Sequence, residues 1–155
     1  MPVAPSTLRA TDARCAATSN SAIRPTPCSR RAHDAAAIER EAADADVVGI
    51  DEAHFFGLPL VETARRLRAA GKRVIVVGID NNAWGKPFTP LPQLADLADD
   101  ITQCTAPCRV CGKPARFSQR MVPVTSNLMV GGAESYEPRC DNCFVPLPGH
   151  PPEEA

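Results

Sequence analysis

The chain has 155 residues, of which 44% are hydrophobic and only 5% aromatic, and its formal net charge is −1. A charge this close to zero gives no electrostatic attraction for nucleic acid or for an anionic membrane. No apolar run approaches the roughly 20 residues that span a bilayer. We therefore expect no nucleic acid and no membrane among its partners, and one domain or a small domain with an appended module.

The N-terminal region has little sign of a core. Residues 1–34 are rich in Ala, Ser, Thr, Pro and Arg and lack apolar periodicity, which predicts a mobile tail. Arg and Ser with few acids are also typical of a transit peptide, and that alternative stays open. Residues 35–45 favour a short surface helix. We therefore expect residues 1–45 to be a poorly structured segment with one short helix.

A strand–helix–strand pattern follows. The apolar run at residues 47–50 predicts a buried strand, residues 58–70 an amphipathic helix, and residues 74–79 a second buried strand. This order within about 33 residues indicates a βαβ unit and therefore a parallel sheet. Residues 91–101 favour a weaker amphipathic helix.

The composition changes near Thr105, where we place a domain boundary. Residues 46–104 are expected to form a partial α/β domain, and residues 105–145 a cysteine-bearing domain with short strands. Residues 146–155 are rich in proline and end in acids, which predicts a disordered tail.

The strongest chemical pattern is two Cys-x-x-Cys pairs, Cys108 with Cys111 and Cys140 with Cys143. Each pair can present two thiolates from one tight turn, and two pairs complete a closed tetrahedral zinc site. Such a site leaves no position open for substrate, so its role would be structural. The total of seven cysteines is odd and no secretory segment opens the chain. Disulfide pairing is therefore the weaker alternative, and a reducing, cytoplasmic location is expected.

An acidic pair, Asp51 and Glu52, ends the first predicted strand of the βαβ unit. An apolar strand ending in two acids is the Walker B arrangement, in which Asp supports Mg²⁺ and Glu polarises a nucleophile. The alternative is a chain that simply emerges into solvent after a buried strand. His54 follows closely and could contact a ligand or pack in a partly buried position.

Two loops could reach a ligand. Residues 80–88 follow the second strand at the same sheet edge, although a surface turn anchored by Trp84 and Phe88 is the favoured explanation. Residues 130–136 contain Gly-Gly and Tyr136, which suit close backbone approach to a ligand. A hairpin turn in a zinc ribbon is the alternative for that segment.

Five motifs together resemble the thymidine kinases of the cellular, zinc-containing type. They are residues 49–56 (GIDEAHFF), 71–76 (GKRVIV), 86–88 (KPF), 130–136 (VGGAESY) and 140–144 (CDNCF). The resemblance implies an α/β fold with a P-loop-kinase-like parallel sheet and a small C-terminal zinc-ribbon or lasso domain. It also implies ATP-dependent phosphorylation of the thymidine 5′-hydroxyl to dTMP, with thymidine and ATP as partners and a homotetramer as the assembly.

The resemblance further implies roles at the phosphates. Glu52 would be the general base for the 5′-hydroxyl, and Asp51 would support the Mg²⁺ of Mg-ATP. Asp12 and Arg14 resemble a family Asp-x-Arg pair near the phosphates.

At the nucleoside, the resemblance places Phe55 against the thymine pocket and has Tyr136 close the loop. Backbone groups of one segment would bond the base, namely Asn127, Leu128, Met129, Val130 and Gly131. Zinc would be held by Cys108, Cys111, Cys140 and Cys143.

The chain also departs from that family. No Gly-Lys-Ser or Gly-Lys-Thr of a phosphate-binding loop occurs in the sequence. We therefore expect a chain that starts downstream of this loop and of the first strand, with negligible turnover, since the loop supplies several charge-stabilising groups. His54 replaces a usual Gln, and Ala83 replaces an aromatic residue. A non-catalytic zinc-ribbon module for nucleoside binding or subunit interaction is the alternative function.

Overall fold

The computed structural model describes residues 6–11, 28–123 and 134–149, with side chains from residue 32 onward. The chain divides into two compact units. The first contains the described residues of Ala4–Ile79 together with Thr89–Leu97, and the second contains those of Asp80–Phe88 and Ala98–Ala155. The domain limits given above stay predictions. Within the described ranges, no helix has both the length and the hydropathy of a membrane-spanning segment.

A four-stranded mixed sheet organises the first unit. Its strands are β1 (Ser6–Thr11), β2 (Cys28–Ala32), β3 (Val47–Ile50) and β4 (Arg73–Val76), in the order β2-β1-β3-β4. β3 and β4 pair in parallel, whereas β1 is antiparallel to both of its neighbours. The α/β class and the small parallel pairing are therefore as predicted.

β1 and β2 occupy a region where the sequence predicted only a tail. β1 pairs with β3 through Leu8 opposite Ile50 and Ala10 opposite Val48. Residues 7–11 alternate polar and apolar, but Leu8 and Ala10 are the only apolar residues of β1, and this short signal does not stand out in a segment rich in Ala, Ser, Thr and Arg. Pairing to an adjacent apolar strand, which is a non-local contribution, gives it strand structure.

Helix α1 (Ala35–Glu41) begins where a good N-cap is available. The Asp34 carboxylate accepts a 2.6 Å hydrogen bond from the Ala37 amide and so satisfies one of the helix's open N–H groups. At the other end, Lys72 Nζ donates to the carbonyls of Ala43 and Ala45 at 2.8 Å each. The short helix expected within residues 35–45 is thus present and tied to the chain that enters β3.

Helix α2 (Pro59–Ala69) connects β3 to β4 and completes the predicted βαβ unit. Gly71 follows it with φ 78°. The Gly71 amide donates to Arg68 and the Lys72 amide to Leu67, the two bonds of a Schellman motif. Gly71 is therefore the C-terminal cap that the sequence indicated.

The core of the first unit lies between the helices and one face of the sheet. Thr63 of α2 is buried and its hydroxyl donates to the Ala35 carbonyl of α1 at 3.3 Å. The largest apolar residues of this core are fully or almost fully buried: Ile38, Val48, Ile50, Leu60, Leu67 and Leu94.

β4 is less buried than its apolar sequence predicts. It is an edge strand of the described sheet, and Ile75 and Val77 remain 45% and 57% exposed. Val74 and Val76, which alternate with them, pack against the core. The described helices thus cover one face of β4, and the prediction of a buried strand was wrong for its other face.

Helix α3 (Leu91–Ala95) is shorter than the predicted 91–101. Asp96 is at the C-terminal end of this helix, and Asp99 and Asp100 follow a few residues later. Negative charge at a helix C-terminus is unfavourable because it repels the negative end of the helix dipole. The apolar spacing alone therefore overstated the length of this helix.

The part of the second unit that the structure describes contains two small antiparallel sheets. β5 (Ala106–Pro107) pairs with β6 (Pro114–Ala115), and β7 (Phe117–Arg120) pairs with β8 (Tyr136–Arg139). The Arg109 amide donates to the Pro138 carbonyl at 2.9 Å and links the two sheets.

Residues Asp80–Phe88 form a compact turn within the second unit. The Asn82 side-chain oxygen accepts hydrogen bonds from the amides of Trp84 and Lys86, both at 3.0 Å. Gly85 has φ 70°. A Cβ at this position would lie only 2.9 Å from the edge of the Phe144 ring. A close approach of backbone to an aromatic ring thus requires glycine here.

Candidate functional site: a cysteine metal centre and an acidic sheet edge

The four paired cysteines converge. The sulfur atoms of Cys108, Cys111, Cys140 and Cys143 all lie within 4.8 Å of one another. Two of the separations are 3.5 Å, from Cys111 to Cys140, and 3.6 Å, from Cys143 to Cys111. Four sulfurs bound tetrahedrally to one zinc ion at 2.3 Å would be about 3.8 Å apart. The cluster therefore has the donor set and the size of a metal site.

Two matching turns produce this convergence. The Gly112 amide donates to the Cys108 carbonyl and the Phe144 amide to the Cys140 carbonyl, both at 2.9 Å. Gly112 has φ 72°, a conformation that glycine adopts without strain. Each turn folds its Cys-x-x-Cys pair back so that both thiols point to one centre.

The electrostatics of the cluster favour a cation. Burial opposes ionisation of the Cys108 thiol, yet hydrogen bonds from the backbone of Cys140 and Cys111 lower its pKa to about 6. Hydrogen bonds with the thiols of Cys111 and Cys140 raise the pKa of Cys143 to about 12. Four thiolates this close repel one another, so a divalent cation is needed before all four lose their protons.

The acidic pair lies where β3 ends. Glu52 has φ 53°, a left-handed backbone conformation that is unusual for a residue with a side chain. Its amide donates to Asp51 Oδ1 at 2.9 Å, and the turn continues into a 3₁₀ helix (Ala53–Phe55). The Ala53 amide then donates to the Val77 carbonyl at 3.0 Å, which fixes the turn to the chain leaving β4.

The surroundings of Glu52 tune its charge. Burial, followed by the negative charge of Asp51, raises the pKa of the Glu52 carboxyl above its ordinary value. His54 is only 5% exposed, and burial lowers its pKa to about 4. The ring is therefore neutral near pH 7, with its Nε2 3.4 Å from Glu52 Oε2. A carboxylate with a raised pKa is a stronger proton acceptor, which suits a general base.

Phe55 lies beside this pair. Its ring centroid is 4.3 Å from that of His54, at an interplanar angle of 42°. Phe55 itself is partly exposed. The structure thus brings together three of the predicted site residues, Asp51, Glu52 and Phe55, and adds His54 to them in a buried position.

Tyr136 begins β8 in the second unit. Its hydroxyl accepts a 2.6 Å hydrogen bond from Arg120 Nη1, and the Arg120 guanidinium lies 5.2 Å from the centre of its ring. Arg120 was not singled out from the sequence. An arginine at the end of a short polar strand carries no signal that distinguishes it from a solvated residue.

The remaining predicted residues lie outside the described ranges. These are Asp12 and Arg14 near the N-terminus and the segment Asn127, Leu128, Met129, Val130 and Gly131. Their roles stay predictions.

The fold and the two sites define a class: an α/β protein with acids at the end of a parallel strand and a cysteine metal-binding domain. The family model described as "Thymidine kinase" matches residues 8–144. The chain belongs to the thymidine kinase family. The match includes β2 and the last four residues of β1, upstream of the five motifs on which the sequence resemblance rests.

Curated relatives agree with this assignment. A thymidine kinase of Rhodothermus sp. is 48% identical over 105 residues, which cover 68% of this chain and 49% of that protein. Those of Bacteroides thetaiotaomicron and Halobacterium salinarum are both 42% identical, over 66% and 64% of this chain and 52% and 54% of theirs. The chain thus spans about half the length of the curated relatives it matches.

Proposed function

We propose that this chain carries the catalytic-base and nucleoside-binding part of a thymidine kinase, which transfers the γ-phosphoryl group of ATP to the thymidine 5′-hydroxyl. The observation that carries the proposal is the Asp51–Glu52 turn at the end of β3 in a chain of the thymidine kinase family. Relatives described as thymidine kinases support thymidine as the substrate.

Glu52 accepts the proton of the 5′-hydroxyl as that oxygen bonds to the γ-phosphorus and the bond to the β-phosphate oxygen breaks, giving dTMP and ADP. Its raised pKa favours proton uptake. Asp51 is exposed, and its carboxylate would hold Mg²⁺, a hard cation that prefers oxygen ligands. Asp12 and Arg14 would contribute near the phosphates.

The nucleoside would be held by Phe55, by backbone groups of residues 127–131, and by Tyr136. Phe55 is partly exposed beside the acidic pair, which leaves its ring available to a base. Zinc, bound by the four clustered cysteines, would keep the second unit folded without taking part in chemistry. As the family resemblance implies, the active assembly would be a homotetramer in the cytoplasm.

We further propose that these 155 residues by themselves have negligible turnover, because they contain no Gly-Lys-Ser or Gly-Lys-Thr. That loop supplies backbone amides and a lysine to the phosphates. The same observation favours a second candidate function, a non-catalytic module that binds thymidine or joins other subunits.

A fusion experiment separates these functions. A phosphate-binding segment from the Rhodothermus relative is joined upstream of the chain, and dTMP formation from thymidine and ATP is measured. The kinase proposal predicts activity in the fusion and a loss of about a hundredfold or more in Glu52→Gln. A fusion that binds thymidine but forms no dTMP would leave the binding module as the function.

A further inference from the structure

Arg120, the last residue of β7, is only 7% exposed. Its Nε donates to the Val122 carbonyl at 2.9 Å, and its Nη2 to the Pro123 carbonyl at 3.0 Å. Its Nη1 donates to the Tyr136 hydroxyl at 2.6 Å. One planar group therefore holds both the chain that leaves β7 and the first residue of β8.

These contacts lie at the end of the β7–β8 pairing. Arg120 is directly opposite Tyr136 in the register, and the Met121 amide donates to the Ser135 carbonyl at 2.9 Å just beyond. The guanidinium also lies 5.2 Å from the Tyr136 ring centre, within the range of a cation–π contact. Both the ring and the hydroxyl of Tyr136 are thus fixed by the same side chain.

The chemistry of the arginine side chain suits this position. Burying a charge is costly, and the three oxygens that Arg120 contacts are neutral carbonyl and hydroxyl oxygens. A guanidinium offers donors in a rigid, planar fork, which a lysine or an apolar residue cannot reproduce. The neighbouring Gln119 has a different role, since its amide exchanges hydrogen bonds with the backbone of Val145.

We infer that Arg120 is a positioning residue, whose guanidinium sets the orientation of Tyr136 for the nucleoside by tying it to Val122 and Pro123. The inference rests on the proposed function, in which Tyr136 contacts thymidine. It assigns Arg120 an indirect role, since Arg120 acts through Tyr136 and does not touch the substrate itself.

A double-mutant cycle in the zinc-loaded chain tests the inference, with the dissociation constant of thymidine measured by calorimetry. Arg120→Lys keeps the positive charge but loses the fork, so we expect affinity to fall about tenfold or more. Tyr136→Phe should weaken binding too, and the double variant should be little weaker than the worse single variant. Arg116→Lys, at an exposed position just before β7, is the matched control and should bind as the wild type does. Additive losses in the double variant would overturn the inference.

Hydrogen exchange without nucleoside provides a readout that does not depend on the proposed function. Arg120→Lys and Tyr136→Phe should each accelerate exchange of the Met121 amide, while the zinc content of each variant stays unchanged. If Arg120→Lys does not fold, Tyr136→Phe alone tests the positioning role. A wild-type chain that fails to bind thymidine would reject the proposed function. Unchanged protection at Met121 in both variants would reject the positioning role.

Discussion

At the scale of single residues, His54 explains how the acidic turn is supported. Its ring is buried behind Glu52, with 3.4 Å between His54 Nε2 and Glu52 Oε2. Burial holds the imidazole neutral by lowering its pKa to about 4. Glu52 therefore lies beside a neutral imidazole ring. Because this ring carries no positive charge near pH 7, it does not offset the raised pKa of the Glu52 carboxyl.

The lowered pKa of His54 predicts an acid-sensitive stability. The unfolded chain takes up the imidazole proton near the ordinary value of 6.5, whereas the folded chain takes it up only near 4. This contribution is fully present above pH 6.5 and is lost as the pH falls toward the folded value. We expect it to be on the order of 3 kcal/mol in total.

The measurement is the free energy of unfolding in urea at pH 7 and pH 4.5. The wild type should lose about 2 kcal/mol more over this interval than His54→Gln, because glutamine cannot take up a proton. His33→Gln, at an exposed position, is the matched control. The same pH dependence in the wild type and in His54→Gln would show that the buried ring does not titrate as described.

At the scale of elements, the turn Asp80–Phe88 depends on one glycine. A Cβ at Gly85 would lie 2.9 Å from Phe144 Cε1, and the Phe144 ring is stacked on Phe117 with centroids 4.4 Å apart. The ring therefore has little room to move away. Gly71 has a similar positive φ, but nothing lies within 4 Å of its would-be Cβ.

These two glycines form a matched pair for substitution. Gly71→Ala should cost about 1 kcal/mol of unfolding free energy from backbone strain alone. Gly85→Ala should cost roughly 1–3 kcal/mol more, since steric overlap is added to the same strain. Both are measured by denaturant unfolding of the zinc-loaded chain, and equal costs would contradict the account of the Gly85 turn.

Local chemistry explains which elements the sequence could predict. The β3–α2–β4 unit has strong apolar periodicity, Pro59 in the first turn and Gly71 at the cap, so its identity and order follow from residues close in sequence. β1 has only a short alternation around Leu8 and Ala10, and its strand structure depends on pairing with β3. The length of α3 was overestimated because its apolar spacing does not reflect the acids at its end.

The site was predictable to a similar degree. The spacing of the cysteine pairs predicts a common centre, and the sulfur separations agree with it. The acids after β3 are likewise identified by their position at the end of an apolar strand. The buried state of His54 and the contacts of Arg120 depend on tertiary packing, which no local pattern encodes.

At the scale of the whole molecule, two units serve different purposes. The first has a hydrophobic core between helices and a sheet, which holds the acidic turn. Among its described residues, the second has few buried apolar side chains, and apart from Phe88 these lie at its cysteine cluster. A small unit with so little core needs another source of stability, and a metal ion held by the four cysteines would supply it.

The central proposal is that a metal-stabilised unit of this chain takes part in holding thymidine, and calorimetric titration tests it most directly. The chain with about one zinc per molecule should bind thymidine more tightly than uridine or deoxycytidine. Binding should be lost after chelation and in Cys108→Ser/Cys111→Ser, but kept in Cys104→Ser, which alters an exposed thiol outside the cluster. A zinc-loaded chain that shows no preference for thymidine, or equal binding with the metal removed, would contradict the account.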